Sequence, residues 1–245
     1  MKKRIFVSII LSFAFFYAGA MDFADFIEAN QANQQKIDTL LAMGTHQVTI
    51  LGPGGNVVTQ QTNDIELYLK HPDMLKIVIS GTISGIIVQK GELLTQKMGE
   101  SAAVTTAAGD DMDLFANYFG GDLSAELEAQ NIVSRETVVV DGETLYKFIY
   151  KLEPGSNLQE MFSEIAFDRM DLYFNRDGMV VRQVLYNGET VVMQMDKVYI
   201  EKDGIFLLKQ IKTSMNTMGM TMENTIEYTA LSVNTEIKDK VFEIR

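Results

Sequence analysis

The sequence predicts a mainly β protein of the α+β class: one N-terminal helix, then an antiparallel meander of about ten to eleven strands. Three observations carry this reading. From Thr45 onward, apolar residues recur at every second position. Four tight-turn dipeptides, Asp141-Gly142, Asp177-Gly178, Asn187-Gly188 and Asp203-Gly204, punctuate the second half. No crossover helices separate consecutive strands, and strands joined by tight turns pair antiparallel with their neighbours. So many strands make a large, strongly curved sheet or a barrel.

The chain opens with an address. Lys2, Lys3 and Arg4 precede an apolar run at 5–17. That run is short of the ~20 residues a membrane span needs. Ala18-Gly19-Ala20 fits the small-x-small site of a signal peptidase. The expectation is a cleaved signal peptide at 1–20 and a single domain over 21–245. Removing the three cations deepens a formal net charge that is already -12.

Phe23, Phe26, Ile27, Ile37, Leu40 and Leu41 then form one helical stripe, with Asp22 as N-cap and Gly44 as the stop. Gln47 opens a strand, and Gly52-Pro53-Gly54-Gly55-Asn56 is a turn. Across 64–70, Ile65, Leu67 and Leu69 alternate with Glu66, Tyr68 and Lys70. Pro72 breaks the run and 75–80 resumes it. Gly, Ser and Ala around 101–109 read as a flexible approach to a short helix at 111–129, and 157–166 reads as a second. The last strand spans about 220–233. No repeat or Pro-rich linker marks a second domain.

Composition removes whole classes of function. Zero cysteine excludes disulfide scaffolds, thiolate metal sites and a cysteine nucleophile. Two histidines leave little material for a metal site or a catalytic triad. The acidic balance argues against nucleic acid as a partner. Nucleophile elbow, phosphate loop and zinc helix motifs are absent. Asp110-Asp111-Met112-Asp113 lacks the glycine and distal glutamate of a calcium loop and reads as a solvated turn. The expectation is a protein that is not an enzyme, with no cofactor and no metal.

Fifteen methionines stand out. Met193 and Met195 share a strand face, as do Met222, Asn224, Ile226 and Tyr228, and Met215, Met218 and Met220 sit at the adjoining turn. Methionine is unbranched and polarizable, so it fills gaps in a core or lines a pocket that fits several apolar partners. The pattern alone leaves both readings open.

The stretch Asp64-Ile65-Glu66-Leu67-Tyr68-Leu69-Lys70-His71-Pro72 resembles the "D-L-W-V-K-R-P" strand of the periplasmic lipoprotein carriers, the LolA superfamily. Lys90-Gly91-Glu92-Leu93-Leu94 is similar to its following "D-G-x-x-L-W" strand, and Asn175-Arg176-Asp177-Gly178 to its late hairpin. The ending Val233-Asn234-Thr235-Glu236-Ile237-Lys238-Asp239-Lys240-Val241-Phe242-Glu243-Ile244 is similar to a terminal "V-N-x-x-I-x-D-x-x-F-x-I". The resemblance implies an unclosed barrel capped by helices around an apolar cavity for acyl chains. It implies a periplasmic carrier of acylated cargo, most specifically in outer-membrane lipoprotein sorting. It further implies inner- and outer-membrane transfer partners, transient membrane contact and a monomer. The alternatives are an envelope-stress sensor or a binder of another lipid or glycolipid on the same fold. Two departures are visible: Tyr68 stands where the family has Trp, and His71 where it has an arginine tied to closing the lid.

Alternation then nominates a lipid-binding lining of Leu67, Leu69, Ile77, Ile79, Met193, Met195, Met222, Ile226 and Tyr228, with His71 as lid control at the mouth.

Overall fold

The computed structural model describes residues 22–107, 132–151, 166–217 and 219–244. Among the described residues the meander is present, with thirteen strands in one antiparallel sheet. They are β1 (Thr39–Leu51), β2 (Val57–Lys70), β3 (Met74–Gly81), β4 (Gly85–Lys90), β5 (Leu93–Met98), β6 (Val104–Ala107), β7 (Ile132–Val140), β8 (Glu143–Lys151), β9 (Arg169–Phe174), β10 (Val180–Asn187), β11 (Thr190–Lys202), β12 (Ile205–Thr217) and β13 (Met220–Val233). The chain starts in the middle of the sheet and steps outward to β6. It reappears at the opposite edge as β7 and returns strand by strand until β13 pairs with β1. The edges β6 and β7 do not pair, so the sheet is not closed.

Turn chemistry sets the hairpins. Asp141-Gly142 and Asp203-Gly204 both hold positive φ at two consecutive residues, the type I′ geometry that matches strand twist. Gly178, with φ 82°, closes β9–β10 against the helix; a Cβ there would lie 2.5 Å from the Ala29 Cβ.

Helix α1 (Phe23–Gln34) begins where expected, with Asp22 capping it and Asp25 returning the bond in a capping box. It ends ten residues before Gly44. Ile37, Leu40 and Leu41 therefore lie beyond it, and β1 starts at Thr39 rather than near Gln47. The apolar spacing of 37–41 satisfies both periods, and pairing decides: Leu40, Ala42 and Gly44 continue the face of Val48 and Ile50. Gly44 is not a helix stop. It sits at a bulge where a Cβ would lie 1.9 Å from the Glu227 carbonyl oxygen, so only glycine admits the approach of β13. The expected ten to eleven strands become thirteen partly because Val104–Ala107, read as flexible, is an exposed edge strand. The predicted helices at 111–129 and 157–166 lie outside the described residues, apart from Ala166.

Two devices fix α1 and the chain ends. Beyond Gln210, β12 parts from β13, leaving the Phe206 backbone unpaired on that side. Asn33 fills the gap: its amide nitrogen donates to the Phe206 carbonyl at 2.9 Å, and its oxygen accepts from the Phe206 N–H at 2.8 Å. Asn234, at φ 54°, ties the seam. Its side chain accepts from the Asp38 N–H and donates to the Lys36 carbonyl, each at 2.8 Å, and its own N–H donates to the Thr39 carbonyl. The tail that follows folds onto the outer face. There Ile237 and Phe242 close a small core with Val88, Leu41 and Tyr68, and Lys70 pairs with Asp239. The terminal motif is thus a structural clasp.

Asn234→Ala removes these side-chain bonds and leaves a left-handed conformation that alanine disfavours. We expect a loss of about 2 kcal/mol or more in urea unfolding. An unchanged midpoint would show that the clasp is dispensable.

Candidate functional site

The register of β1 defines the inner face. Leu40, Ala42, Gly44, His46, Val48 and Ile50 alternate onto it, and their partners on neighbouring strands share it. α1 lies on this face. Phe23 and Phe26 stack edge-on or tilted against Phe148, Tyr150 and Phe174, with centroids 5.1–6.0 Å apart. This closed core includes Met170, Leu172, Leu185 and Met193. A second core lies across β1, β2 and β3: Ile37, Leu40, Leu67, Leu69 and Leu75 with Tyr228 and Leu207.

Between the two cores the inner face is only partly covered. Ile50, Met195, Ile211, Met215, Met222 and Ile226 are all half-buried there. Cross-strand partners chain Ile50, Met222, Met215, Met193 and Leu185 into one row, with Met170 next to Leu185. The row is rich in methionine because four strands each contribute one at the same height. An unbranched lining on a half-exposed trough can repack around a chain of variable shape.

All nine nominated residues fall on this inner face. They do not form one cluster. Met193 belongs to the core under α1, while Leu67, Leu69 and Tyr228 are closed within the second core, with Ile77, Ile79 and Ile226 packed at its margin. Met195 and Met222 lie in the trough between. The sequence reading missed Met215 because it placed that residue at a turn, and it left Ile50 and Ile211 unnominated although both fell inside predicted strands. It also missed Lys197, which shares a row with Ile211, Ile226 and His46. A lysine in an alternating run marks a solvent face by default, so only the register reveals its side.

His71 is exposed in the β2–β3 turn, its N–H donating to the Asp38 carbonyl at 2.8 Å. The segments expected to lie beside it are outside the described residues, apart from Ala166.

Two other spaces are less suited to a chain. A cavity of about 20 Å³ under the end of α1, between Asn33, Leu40, Tyr199 and Leu207, holds roughly one water. A groove of about 290 Å³ on the outer face is bordered by Glu66, Lys76, Lys240 and Glu243. There the Tyr68 hydroxyl donates to Glu66 at 2.6 Å, which pushes its pKa up to about 12. Charged groups ring it, with Val78, Ile86 and Val241 between them. Among the described residues no group of acids and histidines is placed to hold a metal, and no helix is long and apolar enough to cross a membrane.

Lys197 is the exception on the inner face. Among the described residues no acid faces it. Its neighbours along β11 are Met195 and Tyr199, the latter donating to the Val180 carbonyl at 3.2 Å. Burial alone pushes the Lys197 ammonium down to about 8. The unfolded chain, titrating near 10.5, holds more protons between these two values. Wild-type stability therefore rises with pH across that window, and the burial penalty is complete below it. Lys197→Met removes the penalty. We expect the variant to exceed wild type in unfolding free energy at neutral pH, with the gap closing as pH climbs from about 8 to 10. A gap that does not change with pH would contradict this placement.

No family profile and no curated protein matches the sequence. Solved structures do match the fold. A DUF1329 family protein from Desulfovibrio piger superposes with a TM-score of 0.56 at 15% identity, covering 90% of this chain and 97% of that one. A LolA superfamily protein from Nitrosomonas europaea gives 0.54 at 13% identity, covering 92% and 99%. An outer membrane lipoprotein-sorting protein domain from Vibrio parahaemolyticus, described as putative, gives 0.52 at 10% identity, covering 90% and 97%. The open antiparallel sheet of this chain is thus a fold it shares, over about nine-tenths of its length, with these three solved structures, one of them a LolA superfamily protein.

Proposed function

We propose that the protein is a periplasmic carrier that holds acyl chains against the inner face of its sheet, and that its cargo is lipoprotein bound for the outer membrane. The observation that carries this is the half-buried Ile and Met trough, left between two closed cores on a fold shared with lipoprotein-sorting structures. Each methylene taken from water supplies about 0.8 kcal/mol, so an acyl chain binds without any chemistry. A carrier must also let go, and a methionine lining grips by repacking rather than by shape. The leader at 1–20 supports export, and the net negative charge disfavours lingering on anionic lipid surfaces. On this reading access from the Thr39 end of β1, where His71 follows Lys70, runs past the second core, and His71→Leu should alter uptake or release while sparing the fold.

The test is transfer of a fluorescent acyl ligand between donor and acceptor vesicles by the protein without its leader. Met222→Asp places a carboxylate in the trough and should cut transfer about ten-fold or more, since burying an unpaired charge is costly. Val198→Asp, at a position 47% exposed on the outer face, should leave transfer within about two-fold, as surface changes do. No transfer by the wild type, or equal transfer by both variants, would overturn the carrier reading.

A further inference from the structure

The protein carries many more acids than bases, yet they are partitioned by the sheet. Asp64, Glu66, Asp171, Asp196, Glu223 and Glu227 all lie on the outer face, in register with residues such as Met43, Thr45 and Thr49 or opposite Lys212. In the trough between the two cores, no described inner-face position is acidic; alternation along β11 brings an acid to that side only at Glu201, at the exposed end of the strand. Besides tyrosines such as Tyr199, the titratable side chains that reach the inner face here are basic. Arg135 is spoken for, because it pairs with Asp22 at the start of α1. His46 and Lys197 share one row, separated by Ile226 and Ile211, about 14 Å apart at the usual strand spacing. Lys197 is only partly exposed, its row neighbour is Ile211, and no carboxylate among the described residues answers it.

We infer that Lys197 receives the anionic end of an acyl ligand, so that the trough selects chains terminated by an oxyanion, a carboxylate or a phosphate, over neutral ones. This rests on the acyl-carrier reading and narrows it to a ligand class. A buried ammonium without a counter-charge is a standing cost, recovered when a ligand brings the missing charge. The depressed proton affinity of Lys197 agrees with that vacancy of charge. Charge partition does the rest. The outer face mixes its carboxylates with cations such as Lys147, Arg182 and Lys212, whereas the trough offers an anion Lys197 with no described carboxylate beside it. The half-buried Met195, Met215 and Ile226 lie within a strand or two of the amine, where the first methylenes of the chain would rest.

The experiment uses three ligands of one chain length, hexadecanoic acid, hexadecyl phosphate and hexadecan-1-ol, titrated into the delipidated chain without its leader at neutral pH. Wild type should bind at least one of the two anions about ten-fold tighter than the alcohol, the worth of one charge-assisted bond. Which anion is preferred tells carboxylate from phosphate. Lys197→Met should erase the preference while binding the alcohol at least as well, and Lys197→Arg should keep it. A melting curve for each variant separates lost recognition from lost fold. Equal binding of all three ligands by wild type would overturn the inference and leave the carrier reading standing. So would a preference that survives Lys197→Met. Failure of wild type to bind any of them would overturn both.

Discussion

The pairing of β1 with β13 holds two otherwise separate meanders together. One runs outward from β1 to β6 and the other inward from β7 to β13, and they meet at this seam among the described strands. The seam joins residues nearly two hundred positions apart, so its closure entropy is large and must be met by many simultaneous contacts. Those contacts are visible: a ladder from Leu40–Val233 to Leu51–Thr221, the Asn234 clasp at one end, and the bulge at Gly44 that lets β13 approach. The tail continues the clasp by sealing the outer face. With the seam in place, every other strand needs only its sequence neighbour.

The function proposed here follows from that plan. A meander that closed edge to edge would have to fill its interior, as small barrels do. Unpaired edges at β6 and β7 relieve that demand and leave the sheet a face to be covered in parts. α1 covers one part through Phe23 and Phe26, the Ile37–Leu69–Tyr228 core closes another, and the stretch between them keeps half-buried methionines. The period of two then sorts charge as well as hydrophobicity. Along the trough the acids point outward, with Glu201 only at the exposed end of β11, and a strongly acidic protein acquires an inner trough where Lys197 meets no described carboxylate.

Much of this was legible in the residues. Turn dipeptides such as Asp141-Gly142 and Asp203-Gly204 dictate their own φ values, so the hairpins could be placed without tertiary information. The inner face of each strand followed from alternation, which is why all nine nominated residues share it. What was not legible depends on pairing. Ile37, Leu40 and Leu41 fit a helix as well as a strand until β13 and β2 claim β1. Met215 looked like a turn residue because the β12–β13 hairpin is longer than its glycine signals implied. Lys197 looked like a solvent residue because local sequence does not report which neighbours lie across a ladder. The terminal motif was read as a family signature, and the structure gives it a physical task, with Asn234 bridging Lys36, Asp38 and Thr39.

The central claim is that acyl chains lie along the inner face, over the methionine row. Methyl resonances of methionine report this directly, since the residues concerned are distributed between trough and exterior. On adding an acyl ligand to the delipidated protein, the signals of Met195, Met215 and Met222 should shift together and saturably. Those of Met43, exposed on the outer face, and Met74, beneath the C-terminal tail, should stay in place. Shifts confined to the outer methionines, or no shift in the trough at saturating ligand, would contradict the account.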